Sequence, residues 1–69
     1  MSTLQPHQQR VIDEKAALDE KIVKLADFIV TTIAYKHLPS AEKDRLHRQH
    51  KAMLEYSSVL RERIEAFQT

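Results

Sequence analysis

Apolar residues recur at alternating steps of four and three in two long stretches of the chain, on either side of a short segment around Pro39. The first stretch carries Val11, Lys15, Leu18, Ile22, Leu25, Ile29 and Thr32, and the second carries Leu46, His50, Met53, Ser57, Leu60, Ile64 and Phe67. Heptad spacing of this kind is typical of helices that pack nearly parallel or antiparallel. The sequence therefore predicts an all-α protein with two long helices.

The segment around Pro39 sets the predicted boundaries of these helices. Proline disfavours helical geometry at the residue before it, and Ser40 is suited to cap the second helix. We predict a single domain over residues 1–69, with a helix over 5–35, a turn over 36–40 and a helix over 41–67. Because the helices have similar lengths and the turn is short, they should form an antiparallel two-helix hairpin.

The first helix has more apolar surface than one partner helix can cover. At 100° per residue, a second stripe lies beside the heptad positions and contains Ile12, Ala16, Val23, Ala26, Val30 and Ala34. A monomer would leave a large apolar patch exposed, and a chain of 69 residues buries little surface on its own. We therefore predict a homodimer, in the form of a four-helix bundle, with Val23, Val30 and Val59 at the interface. The alternative is a monomer whose apolar groove accepts a helix of another protein.

Composition narrows the classes of function. The chain has no glycine and no cysteine, so a glycine-rich phosphate loop, disulfides and thiolate zinc sites are excluded. No serine or carboxylate pair has a catalytic context, and we expect neither an enzyme nor a bound cofactor. The net charge is +1, and no stretch is apolar for the roughly 20 residues that a membrane span needs. The first residues do not resemble a signal peptide, so we expect a cytoplasmic protein.

One face of the second helix is basic. Lys43, His47, Lys51, Ser58 and Arg61 share this face, with Leu54 among them. Such a surface can bind a phosphate or an acidic protein. The simpler alternative, which we favour at this point, is a solvated face that pairs such as Arg61 with Glu65 partly neutralise. No aromatic residue lies between these cations, which argues against direct nucleic-acid binding. Two histidines, His47 and His50, are too few ligands for a zinc site, so no metal site is predicted.

Two further features are candidates for partner binding. Asp13, Glu20 and Asp27 recur every seven residues, and we call them the acidic row. An acidic row can dock on a basic DNA-reading surface, although simple solvation explains it too. Tyr35 and Leu38 fall at the tip of the hairpin, where they either contact a partner or close the end of the bundle.

Several segments of the chain resemble a known family. They are PHQQRVIDEK at residues 6–15, LDEKI at 18–22, Leu38-Pro39, and MLEYSSVL at 53–60. Together they resemble small accessory proteins of tailed phages and prophages, over nearly the whole chain. Within that setting, the length and the helical hairpin are similar to the quorum-sensing anti-activator protein of phages that infect pseudomonads. That resemblance implies a homodimer that binds a LuxR-type transcriptional activator, blocks its contact with DNA, and also binds the assembly ATPase of type IV pili.

These observations lead to three hypotheses of function. The first is a phage-encoded inhibitor in the host cytoplasm, which binds host regulatory proteins through the acidic row or the hairpin tip. The alternative is an oligomeric sponge that sequesters a nucleotide immune signal, with Lys43, His47, Lys51 or Arg61 on the phosphates. The third is a nucleic-acid-binding regulator that acts through the basic face.

Overall fold

The computed structural model describes residues 4–67 and contains three helices. They are α1 (Pro6–Thr31), α2 (Ile33–Lys36) and α3 (Ser40–Ala66), and no β-strand occurs within these residues. The all-α prediction is therefore confirmed for the described part of the chain. Residues 1–3 and 68–69 of the predicted domain lie outside it.

The two long helices, α1 and α3, pack side by side in opposite directions. Asp19 contacts Ser57, whereas Tyr35, further along the chain, contacts His47, so the numbering rises along one helix as it falls along the other. The hairpin measures 51 × 16 × 15 Å, with a radius of gyration of 15.7 Å. A compact chain of this length has a radius of gyration of about 11 Å. The protein is therefore a thin rod that exposes both of its broad faces.

The core lies between α1 and α3 and is small. Val11, Leu18 and Leu60 are its buried residues, and Leu60 is only 1% exposed. Ile22, Met53, Ile64 and Phe67 are partly buried against them. Each of these residues occupies a predicted heptad position, because a helix buries one stripe when it packs along a single partner.

The predicted first helix is not continuous, since it is interrupted at Thr32. This residue is extended (φ −91°, ψ 127°), and it separates α1 from the single turn of α2. The break falls within the β-branched run from Ile29 to Ile33, which loses side-chain freedom in a helix. Thr31 Oγ1 also donates a hydrogen bond to the carbonyl of Asp27 (2.7 Å), a contact that bends helices. The prediction of an uninterrupted helix over 5–35 was therefore wrong at this point.

The helix ends differ slightly from the prediction. The first helix begins at Pro6, and the side chain of Gln8 accepts a hydrogen bond from the backbone N–H of Gln5 (2.9 Å). The last helix begins at Ser40, so Pro39 rather than Ser40 stands at the cap position. The Pro39 carbonyl accepts the first backbone bonds of the helix, and proline suits this place because its ring fixes φ and it has no N–H to satisfy.

Candidate functional site

The break at Thr32 brings an aromatic residue of α2 against the basic face of α3. Tyr35 and His47 form a hydrogen bond between the tyrosine hydroxyl and Nε2 (2.7 Å), and their rings meet edge to face at 6.0 Å. Phe28, near the end of α1, meets the Tyr35 ring in the same manner at 6.2 Å. The Lys43 ammonium lies 5.4 Å from the centre of the Tyr35 ring, within cation–π range. We call Phe28, Tyr35, Lys43 and His47 the tip cluster.

The tip cluster offers groups suited to binding an anion. Lys43 supplies a cation close to an aromatic ring, and both residues are half-buried. His47 is exposed, and its bond to the Tyr35 hydroxyl can run in either direction, with the hydroxyl or the ring N–H as donor according to the tautomer. Leu38 follows in the turn and is also half-buried. The tip residues thus hold α2 against α3, with the Lys43 ammonium beside the Tyr35 ring and the His47 ring exposed.

The remainder of the basic face extends along α3 away from the tip. Lys51 lies one turn beyond His47 and is exposed, as is Leu54 at 48%. Arg61 is also exposed, and its Nε lies 3.9 Å from Glu65 Oε1. Because 14 residues separate His47 from Arg61, these side chains are about 21 Å apart along the helix. The structure therefore joins Lys43 and His47 in one cluster and leaves Arg61 far from it.

The acidic row lies on the outer side of α1. All three carboxylates are on exposed residues, and the row spans about 21 Å from Asp13 to Asp27. Asp13 accepts a hydrogen bond from Gln9 Nε2 (3.0 Å), and Glu20 lies 3.1 Å from Lys24 Nζ. These local partners leave the row accessible along its length.

The three valines predicted for the dimer interface are all exposed, but they do not share a face. Val23 is 67% exposed, Val30 is 77% and Val59 is 53%. On α1, Val23 and Val30 lie on the same side of the buried Leu18 as Asp19 does, counted at 100° per residue. The bond between Asp19 and Ser57 shows that this side of α1 adjoins the basic face of α3, whereas Val59 is rotated from Leu60 toward the opposite face.

The exposure of Ile33 and the link from Asp19 to α3 were not predicted from the sequence. Ile33 is 70% exposed. Its orientation could not be predicted from the periodicity of α1, because that helix ends before it, at Thr31. Asp19 accepts hydrogen bonds from Lys15 (2.6 Å) and Ser57 (2.5 Å), which join the helices near the middle of the hairpin. The bond from Lys15 and then that from Ser57 lower the pKa of Asp19 below its usual value. The sequence contained one sign of this link: Lys15 and Ser57 are polar residues at heptad positions, where an apolar residue is usual.

The described part of a single chain encloses no site. Within residues 4–67 there is no pocket, and no three histidine or acidic side chains lie close enough together to hold a metal ion. No helix in this part of the chain combines the length and the hydropathy that crossing a membrane requires. The features available for function are therefore its surfaces.

Comparison with models of protein families finds a match for this chain. The family model described as Sequestin matches residues 5–66, which include all three helices. Neither the curated proteins nor the solved structures contain a match to this chain. At a coarse level the match fits the small accessory phage proteins that the sequence resembles, and it does not extend to the quorum-sensing anti-activator. The name of the family indicates a protein that binds and sequesters a partner. On the extent of this match, the chain belongs to the Sequestin family.

Proposed function

We propose that this protein is an oligomeric sponge that sequesters a small nucleotide signal in the host cytoplasm. The family name supports sequestration as the mode of action. In this proposal the protein acts by binding alone, without a catalytic step, and lowers the free concentration of the signal. A stoichiometric binder of this kind needs a surface that recognises the ligand, and the tip cluster supplies one.

The observation that carries the proposal is the convergence of Lys43, His47 and Tyr35 at one end of the hairpin. Ammonium and imidazole groups bind phosphate oxygens through charge-assisted hydrogen bonds. Lys43 lies over one side of the Tyr35 ring, and the proposal places the base of the nucleotide against the part of the ring that is still exposed. Stacking of a base on an aromatic side chain is worth about 1–3 kcal/mol in nucleic-acid complexes. Lys51, four residues beyond His47 on the same face, adds positive charge about 6 Å further along the helix.

A homodimer is part of the proposal. Ligand sites usually enclose most of the ligand surface. Because residues 4–67 of one chain form no pocket, a second copy would have to cover the ligand from the other side. The proposed site therefore lies where the tip clusters of two copies approach each other.

Thermal unfolding in the presence of nucleotides tests this function. We would screen cyclic mononucleotides, cyclic dinucleotides and nucleoside diphosphates against the purified full chain. A ligand at 100 times its dissociation constant should stabilise the protein by about 2.7 kcal/mol. Lys43→Gln and His47→Gln should abolish the shift, whereas Lys24→Gln, at an exposed cation on α1, should leave it unchanged. The sponge would be rejected if no nucleotide in the panel raised the melting temperature.

The acidic row supports a second candidate function. Three exposed carboxylates over about 21 Å form a negatively charged strip that could dock on a basic DNA-binding surface. The partners under this candidate are a LuxR-type transcriptional activator and a type IV pilus assembly ATPase of the host. A variant with Asp13→Asn, Glu20→Gln and Asp27→Asn should then lose binding to the purified activator. Equal binding by this variant would exclude the acidic row as the contact.

A further inference from the structure

The hairpin exposes more surface than a compact chain of its mass. Its accessible surface is 5470 Å², whereas a compact chain of 8.1 kDa exposes about 4,500 Å². The excess is close to the roughly 800 Å² that each partner buries in a stable protein–protein interface. The excess arises because the two long helices form one layer, and no other element of residues 4–67 packs on either broad face. A second layer supplied by another copy would remove it.

One broad face of the hairpin is the better candidate for this contact because both long helices contribute large exposed apolar residues to it, whereas the exposed Val59 and Tyr56 of the other face both belong to α3. It carries Val23 and Val30 from α1 beside Leu54 from α3, and these side chains are between 48% and 77% exposed.

Asp19 is rotated from the buried side of α1 toward the two valines, and Ser57 is rotated from the buried side of α3 toward Leu54. Because Asp19 and Ser57 are hydrogen-bonded, these sides of the two helices adjoin and form one face. We call the surface formed by Val23, Val30 and Leu54 the dimer face.

Charge distinguishes the two ways in which this face can pack against itself about a twofold axis. If the axis is perpendicular to the helices, each helix faces its own copy, which sets acidic row against acidic row and basic face against basic face. If the axis is parallel to the helices, α1 of each copy faces α3 of the other, so the acidic row lies beside the basic face. Like charges across an interface cost affinity, and opposite charges favour it.

The levels of the charges along the rod agree with the second arrangement. Asp19 lies opposite Ser57, so Asp27, eight residues further along α1, lies level with residue 49 on α3. Lys51 is two residues from that level, about 3 Å along the axis. A twofold rotation about an axis parallel to the helices does not shift a residue along the rod. Asp27 of one copy and Lys51 of the other are therefore also about 3 Å apart along the axis. Counted at 100° per residue, Asp27 lies at the outer edge of the dimer face on α1, and Lys51 lies at its outer edge on α3.

We propose that two copies of this chain associate through the dimer face, with the twofold axis parallel to the helices. Val23 of one copy then lies within one residue of the level of Leu54 on α3 of the other, and Val30 lies level with residue 46, beside His47. Both hairpin tips lie at the same end of the resulting four-helix bundle. This arrangement stands on exposure and charge and does not depend on which ligand the tip cluster binds.

A distance measurement between labelled tips tests the orientation. The chain has no cysteine, so His37→Cys places one spin label on each copy at an exposed position. Parallel hairpins keep the two labels within about twice the 16 Å width of one hairpin, whereas opposed hairpins separate them by about its 51 Å length. The short distance, measured by pulsed electron resonance, would support the proposal. The long distance, or a monomer in sedimentation at high concentration, would overturn it.

Paired variants test the face and the charges. Val23→Arg should abolish association, whereas Val59→Arg on the opposite face should leave it intact, with the helical circular dichroism of both variants as a control for folding. If Val23→Arg fails to fold, Val30→Ser takes its place. Asp27→Lys and Lys51→Asp should each weaken the dimer several-fold, and the double variant should restore it. Tighter association of the single Asp27→Lys variant would instead indicate the arrangement with acidic rows opposed.

Discussion

Ser57 on α3 donates a hydrogen bond to Oδ1 of Asp19 on α1 (2.5 Å), and this bond joins the two helices near the middle of the hairpin. Lys15 donates to the other oxygen, Oδ2, at 2.6 Å. Both carboxylate oxygens are thus engaged, one by a residue of the same helix and one by its partner. The link also shows which sides of the helices adjoin, and therefore which exposed residues share a face.

The Asp19 link should make stability depend on pH in acid. Because these bonds lower the pKa of folded Asp19 below its usual 3.8, the stability that they provide is present above that value. It is lost as the pH falls through the lower pKa of the folded state. Thermal unfolding between pH 7 and pH 2 should show a smaller acid-induced loss of melting temperature in Asp19→Asn and Ser57→Ala. Ser58→Ala, one residue along, should follow the parent curve, and equal curves for all three variants would refute the assignment.

The small core should make the chain sensitive at Leu60. Leu60→Ala removes a side chain that is 1% exposed and should lower the free energy of unfolding by about 2–5 kcal/mol. The neighbouring Val59 is 53% exposed, and Val59→Ala should change it by no more than about 0.5 kcal/mol. Urea unfolding at a fixed protein concentration measures both variants. Similar losses for the two would mean that Val59 is covered in solution.

The position of Tyr35 should depend on the break at Thr32. Thr32→Ala removes a β-branched side chain from the interruption and favours a continuous helix through α2. The changed backbone at residue 32 would turn Tyr35 away from His47. We expect a stronger helical signal in circular dichroism and loss of the nuclear Overhauser contacts between the two rings. Retention of those contacts would show that packing on α3, rather than the break, positions Tyr35.

The two ion pairs of α1 should differ in their contribution to stability. Lys15, whose side chain is 25% exposed, supports the link between helices, whereas Lys24 and Glu20 are 74% and 68% exposed. Lys24→Gln should therefore change the free energy of unfolding by no more than about 0.5 kcal/mol, as is usual for exposed pairs. Lys15→Gln should lower the melting temperature more, since Asp19 then keeps only its bond from Ser57. The reverse order in calorimetry would contradict this ranking.

The sequence by itself determined the helical class and the core. With no glycine and with heptad spacing in both halves, the chain could bury apolar surface only as paired helices, and Leu18 and Leu60 are buried where the spacing places them. The exposed second stripe on α1 followed from the same periodicity. Periodicity reports the angular position of a side chain within one helix, and this is enough to identify which stripe is buried.

Only the tertiary structure decided how the surfaces combine. The break at Thr32 arises from a balance between weak helix propensity and packing on α3, and it brings Tyr35 to His47, residues that are 12 apart in sequence. Likewise, the side of α1 that adjoins the basic face became known through the bond between Asp19 and Ser57. A helical wheel fixes angles about one axis, but the relation between two axes depends on contacts between residues distant in sequence. For that reason Val59 was grouped with Val23 and Val30 from the sequence, although it lies on the opposite face.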